Sequence, residues 1–150
     1  MLRILIIDDV ETNRFVLRNI ITDMGYQPVL AENGKQGLKI MERIVPDLIL
    51  LDVAMPEMDG FEFCEIIKKD IKTRNIPIIF ISAFDEAEDI VKEIDELINS
   101  SDCPIDDKTK EKDYSQIAIL STSNDELAYY AQQLHNRNIP YELKEGKSIF

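Results

Sequence analysis

Hydrophobic positions along this chain follow two alternating rhythms. Nearly continuous apolar runs (ILII, LILL, PIIFI and IAIL) lie within Arg3–Asp8, Asp47–Val53, Pro77–Ser82 and Gln116–Ser121. Two further β-rich runs occupy Pro28–Glu32 and Pro140–Lys144. Unbroken apolar runs suit strands buried on both faces, as in a parallel sheet covered by helices. The intervening segments carry helical spacing. One stripe is Leu17, Ile20, Ile21 and Met24, stopped by Gly25. Others are Leu38, Met41 and Val45; Phe63, Ile66 and Ile67; Ile90, Ile94, Leu97 and Ile98; and Leu127, Tyr130, Ala131 and Leu134. Ser123 and Glu126 form a capping box before the last of these. Strand and helix in strict alternation predict an α/β fold: a doubly wound, mostly parallel sheet in three layers, with right-handed crossovers. The expected strand order is 2-1-3-4-5, with the run from about Pro140 as a sixth strand on one edge. Asn99–Ser115, which holds Pro104 and the charge run DDKTKEKD, breaks the rhythm and reads as a solvated, mobile loop.

Composition narrows the function classes. The chain has 150 residues, enough for one domain with a real core. Its net charge of −12 disfavours nucleic acid as a partner. No apolar run approaches the ~20 residues of a membrane span. The start, Met1 followed by Leu-Arg-Ile-Leu-Ile-Ile, reads as a strand rather than a signal peptide. Cys64 and Cys103 match no redox or zinc spacing, so a cytoplasmic setting is expected.

Acidic residues gather where the strands end. Asp8 and Asp9 close the first strand, and Asp52 stands near the end of the third. Ligands of open parallel sheets bind beyond the carboxyl ends of the strands, where strand order reverses. First and third strands side by side would bring these carboxylates together. Like charges so close repel unless a cation sits among them, and oxygen-only ligands suit a hard cation such as Mg²⁺.

The segment Asp52-Val-Ala-Met-Pro-Glu-Met-Asp-Gly60 resembles the DxxMPxMDG signature of response-regulator receiver domains. IIDD in the first strand, DLILLDVAMPEMDG across the third and PIIFISA in the fourth extend the resemblance. It implies a flavodoxin-like fold and a phosphoacceptor module of two-component signalling. It makes Asp52 the phosphoacceptor, phosphorylated by a histidine kinase or a small phosphodonor. Asp9 and Asp52 would bind Mg²⁺ by side chain, Ala54 by its backbone carbonyl, and Asp8 mostly through water. Ser82 would hydrogen-bond a phosphoryl oxygen. Pro56 and Gly60 would shape the loop after the acceptor.

The resemblance departs in the last third. The family carries a Lys at the end of the fifth strand, which pairs with the phosphoryl group and couples it to switching. Here Leu120, Ser121 and Thr122 occupy that region, so impaired switching is expected. From Tyr114 onward the pattern is similar to part of the second motor domain of superfamily-one DNA helicases: IAIL, then STSN, an amphipathic helix, and Ile139-Pro-Tyr. No helicase or ATPase activity is expected, because Tyr141 stands where the first glycine of a phosphate-binding loop ending in Gly146-Lys147-Ser148 belongs. The expected organisation is one domain over 1–150, receiver-like over 1–92 and helicase-fragment-like over 84–150. The alternative function is that of an engineered or chimeric α/β protein without physiological activity.

Overall fold

The computed structural model describes residues 1–81, 87–99, 117–120 and 124–142. The apolar runs become β1 (Arg3–Ile7), β2 (Gln27–Ala31), β3 (Leu48–Asp52), β4 (Ile78–Ile81) and β5 (Ile117–Leu120). The helical stripes become α1 (Glu11–Asp23), α2 (Gly34–Met41), α3 (Gly60–Lys69), α4 (Ala87–Asn99) and α5 (Asn124–Asn136). The strands form one parallel sheet in the order β2-β1-β3-β4-β5, as the alternation predicts.

The two-residue period of the strands divides the core. Leu5, Ile7, Ile49, Leu51, Ile78 and Phe80 pack in one cluster with Phe63 and Ile67 of α3, Val91 and Ile94 of α4, and Tyr130 and Leu134 of α5. Their neighbours Ile4, Ile6 and Leu50 join Ile21 and Leu17 of α1 in a second cluster. An apolar run with no polar alternation therefore serves two cores at once.

Among the described residues, three positions of the helical stripes are exposed. Met24 caps the C-terminus of α1 and is exposed. Gly25 follows at φ 88°, a left-handed conformation that suits glycine and turns the chain into β2. Val45 lies past the end of α2, in the connection to β3, and is 65% exposed. Ile66 turns to solvent while Ile67, about 100° further round α3, takes the core position. Asn99 belongs to α4 rather than to the predicted loop, and its side-chain amide donates to the Asp95 carbonyl at 2.9 Å. Residues 100–115 and the capping residue Ser123 lie outside the described residues. The predicted sixth strand is not found among the described residues: Pro140–Glu142 are irregular. Among the described residues, no helix is long and apolar enough to cross a membrane.

Candidate functional site

Register brings the acidic positions together. Ile7 of β1 is level with Leu51 of β3, so Asp8 and Asp52 each come one residue further, at the same end of adjacent strands. One carboxylate oxygen from each of Asp8, Asp9 and Asp52 lies within 4.8 Å of the other two. The three environments differ: Asp8 is buried, Asp52 half-buried and Asp9 exposed.

Asp8 is anchored by several hydrogen bonds. The Val10 N–H donates to its Oδ1 at 2.9 Å and the Asn13 amide to its Oδ2 at 3.3 Å. Its backbone N–H donates to the Ala31 carbonyl at 3.2 Å, and the Arg14 guanidinium donates to its carbonyl oxygen at 2.7 Å. Burial nevertheless pushes the Asp8 carboxyl above its ordinary value. The hydrogen bonds from Val10 and Asn13 oppose that rise, Asp9 adds to it, and Arg14 lowers it again. Asn13 and Arg14 are absent from the sequence-derived site. They carry no motif signal; helix α1 simply places them over Asp8.

The loop after Asp52 folds back on the strand end. The Gly60 N–H donates to the Val53 carbonyl at 2.8 Å. A Cβ on Gly60 would overlap the Asp52 carbonyl oxygen and stand 3.0 Å from Val53 Cα, so only glycine permits this approach. Glu57 takes φ 67°, and Asp59 caps α3 by accepting from the Glu62 N–H at 2.9 Å. Lys35 of α2 pairs with Glu57 at 3.4 Å and ties the loop's outer face to α2. Ala54 is an exposed residue of this loop, two positions past Asp52.

The sheet register extends the site toward β4 and β5. Ile81 is level with Asp52, and Leu120 is level with Ile81. Positions 82 and 121 follow next in sequence. Ser82, Ser121 and Thr122 lie outside the described residues. Cys64 is buried in the core beneath α3, and burial pushes its thiol up to about 12, which leaves it protonated and unreactive.

Three carboxylates around one point, one of them desolvated, form an oxygen-only donor set for a hard divalent cation. The charge they concentrate is relieved by such an ion or by a proton. The arrangement is open on the Asp9 side, which leaves room for an anionic donor to approach.

The chain matches the response regulator receiver domain family over residues 4–100. It is 41% identical over 108 residues to the response regulator PleD of Caulobacter vibrioides, covering 70% of this chain and 23% of PleD. It is 36% identical over 91 residues to the protein PilH of Pseudomonas aeruginosa, covering 61% of this chain and 75% of PilH. Among solved structures it is similar to the response regulator TrrA of Thermotoga maritima in complex with Mg²⁺ and BeF, with 27% identity and a TM-score of 0.57. That likeness covers 89% of this chain and 99% of TrrA. The chain thus spans under a quarter of PleD but three quarters of PilH.

Proposed function

The chain belongs to the response regulator receiver domain family, and on that premise we propose that it accepts a phosphoryl group on Asp52. The observation that carries this reading is the convergence of Asp8, Asp9 and Asp52 at the ends of β1 and β3. A carboxylate oxygen of Asp52 attacks the phosphorus of the donor and forms a new P–O bond. With a phosphohistidine donor the P–N bond breaks, and its electron pair leaves on the imidazole nitrogen, which takes up a proton. With a small acyl phosphate the departing group is a carboxylate. Water later attacks the phosphorus and returns Asp52 to its free form.

Oxygen donors within 4.8 Å of one another fit Mg²⁺, which Asp9, Asp52 and the Ala54 carbonyl would hold, with Asp8 acting through water; bound there, it supplies positive charge against the phosphoryl oxygens. Asp8, fixed by Val10, Asn13 and Arg14, keeps the negative edge of the site in place. Gly60 lets α3 begin against the Asp52 carbonyl, which fixes the acceptor's backbone. Ser82, next after Ile81, would donate to a phosphoryl oxygen.

Phosphorylation should switch the surface weakly. Leu120 is followed by Ser121 and Thr122, so the family Lys has no counterpart at the end of β5. A neutral hydroxyl donates a hydrogen bond but brings no charge, and charge-assisted bonds are roughly twice as strong as neutral ones. A phosphoryl group shifts an equilibrium only by its differential affinity for the two states, which that Lys would have supplied.

The donor would be a histidine kinase or a small phosphodonor, in a cytoplasmic setting, and 1–150 would act as one domain. The family match runs through residue 100, past the 84–92 span in which the sequence pattern allows a join. The helicase-like and chimeric readings of 84–150 rest on residue pattern alone, and no structural observation favours them.

The test is incubation of the full chain with Mg²⁺ and acetyl phosphate, followed by intact-mass analysis. One added phosphoryl group, lost in Asp52→Asn, is the expected result. An unmodified wild type, or equal labelling of both proteins, would remove Asp52 from its assigned role. Beryllofluoride should shift the amides around Asp9 and Asp52 and leave Ile117–Leu120 nearly unmoved; large coherent shifts through β5 would overturn the weak-switching reading. A Ser121→Lys variant that gains those β5 shifts would place the defect in the missing charge.

A further inference from the structure

A second group of carboxylates lies away from the strand ends, between α3 and α4. Glu65 projects from α3. Glu93 and Glu96 are three residues apart on α4 and so share one face of it. One carboxylate oxygen from each lies within 4.8 Å of the other two. Glu93 is only 7% exposed, and its Oε1 is buried with no hydrogen-bond partner among the described residues. None of the ion pairs among the described residues involves Glu65, Glu93 or Glu96. A desolvated carboxylate beside two others, with one oxygen buried and unpartnered among the described residues and the side chain otherwise meeting Glu65, calls for a cation or a proton.

We propose that Glu65, Glu93 and Glu96 form a divalent-cation site that bridges α3 and α4 and takes a hard, Ca²⁺-sized ion. Two oxygens on opposite sides of a Ca²⁺ ion, each bound at about 2.3–2.6 Å, lie about 5 Å apart, so oxygens within 4.8 Å can share one ion. Ca²⁺ also tolerates irregular coordination completed by water, which suits a site whose Glu96 side is exposed.

The neighbouring groups select the class of ion. From α3 and its cap, Glu65 and Asp59 face Glu93; from its own helix, Glu96 does. Cys64 lies close enough to sense both Glu65 and Glu93, but burial keeps its thiol protonated, so the site offers oxygen and no thiolate. Lys68, also buried on α3, donates to the carbonyls of Arg74 and Ile76 at 3.0 and 2.8 Å. Carboxylate and water ligands suit Ca²⁺, Mn²⁺ and Mg²⁺ rather than softer metals. The competing way to relieve the repulsion is a proton shared between Glu93 and Glu65.

The experiment uses the full chain, stripped of metal and isotope-labelled, titrated with Mn²⁺ and separately with Ca²⁺. Mn²⁺ should broaden the amides of Glu65 and of Glu93 to Glu96, and Ca²⁺ should shift them. Glu93→Gln should weaken both responses by about tenfold or more, while broadening near Asp8 and Asp52 persists. Glu96→Gln, at an exposed position, should weaken them too and guards against a folding defect in the first variant. Broadening confined to Asp8, Asp9 and Asp52 in the wild type would overturn the proposal. So would a Glu93 carboxyl resonance that titrates identically with and without Ca²⁺, since that identifies the shared proton instead.

Discussion

The two carboxylate clusters have the same number of acids and opposite support. Asp8, Asp9 and Asp52 sit where two parallel strands end, and Asp8 receives hydrogen bonds from Val10 and Asn13 while Arg14 holds its carbonyl. Glu65, Glu93 and Glu96 sit between two helices, and Glu93 keeps a buried oxygen with no partner among the described residues. Helix and strand ends present backbone N–H groups that can serve a carboxylate; the middles of helices have already spent theirs on their own ladders. Carboxylates therefore rest in a furnished site at the carboxyl ends of the inner strands and, among the described residues, in a less furnished one between helices. Burial raises the proton affinity of both Asp8 and Glu93, but only at Asp8 do hydrogen bonds pull back.

The largest expected effect tests the furnishing of the first cluster. Gly60→Ala places a methyl group into the Asp52 carbonyl oxygen, which backbone cannot easily avoid. A loss of about 3 kcal/mol in unfolding free energy is expected, measured by denaturant titration, with weakened labelling of Asp52 alongside. Stability within about 0.5 kcal/mol of the wild type would mean that the loop yields and that the close approach is not a constraint.

The second cluster should reveal itself through pH. Like-charged neighbours and burial, burial foremost, push the Glu93 carboxyl from 4.5 up to about 8. Between those two values the folded chain holds this proton and the unfolded chain has released it. The contribution of Glu93 to stability is therefore full at acidic pH and declines as pH rises toward 8. In metal-free buffer, Glu93→Gln should flatten that decline and raise the melting temperature at pH 8 by the order of 5 °C. Parallel melting curves for wild type and variant across pH 5 to about 8 would show that Glu93 is already compensated, and the contrast between the clusters would fail.

The smallest effect concerns a single weak bond. Asn13→Ala removes the 3.3 Å contact to Asp8 Oδ2 and leaves Val10 and Arg14 in place. Mg²⁺ affinity, followed by amide shifts near Asp8, should fall a few-fold, at the low end for residues that orient metal ligands. An unchanged affinity would assign the anchoring of Asp8 to the Val10 N–H and Arg14.

Much of this molecule is legible in its sequence, and the exceptions have physical causes. Continuous runs such as ILII and LILL announce buried parallel strands, and with the first and third strands side by side the meeting of Asp8 with Asp52 at their ends could be anticipated. Periodicity could not tell Ile66 from Ile67, because adjacent helical positions differ by only about 100° and both border the stripe. Val45 looked like a continuation of α2, although the helix ends at Met41. Asn13 and Arg14 escape any motif because their role depends on how α1 lies across Asp8. The glutamate cluster escapes for a similar reason: Glu65 and Glu93 are distant in sequence, and charged residues on amphipathic helices read as solvent-facing.

One helix touches both clusters. Gly60, the first residue of α3, lies against the Asp52 carbonyl, and Glu65 follows five positions later, about 7.5 Å along the axis. Asp59, the cap of the same helix, already raises the proton affinity of Glu93. The start of α3 therefore borders the Asp52 loop while its cap already acts on Glu93. Thermodynamic linkage would make any coupling between the two proposed sites mutual: negative charge added at Asp52 would tighten the hold of the glutamates on a proton or cation, and a cation held there would ease the arrival of charge at Asp52 by the same factor. In those terms α3 would be a short dielectric bridge between two binding equilibria, able to couple them without movement of the chain.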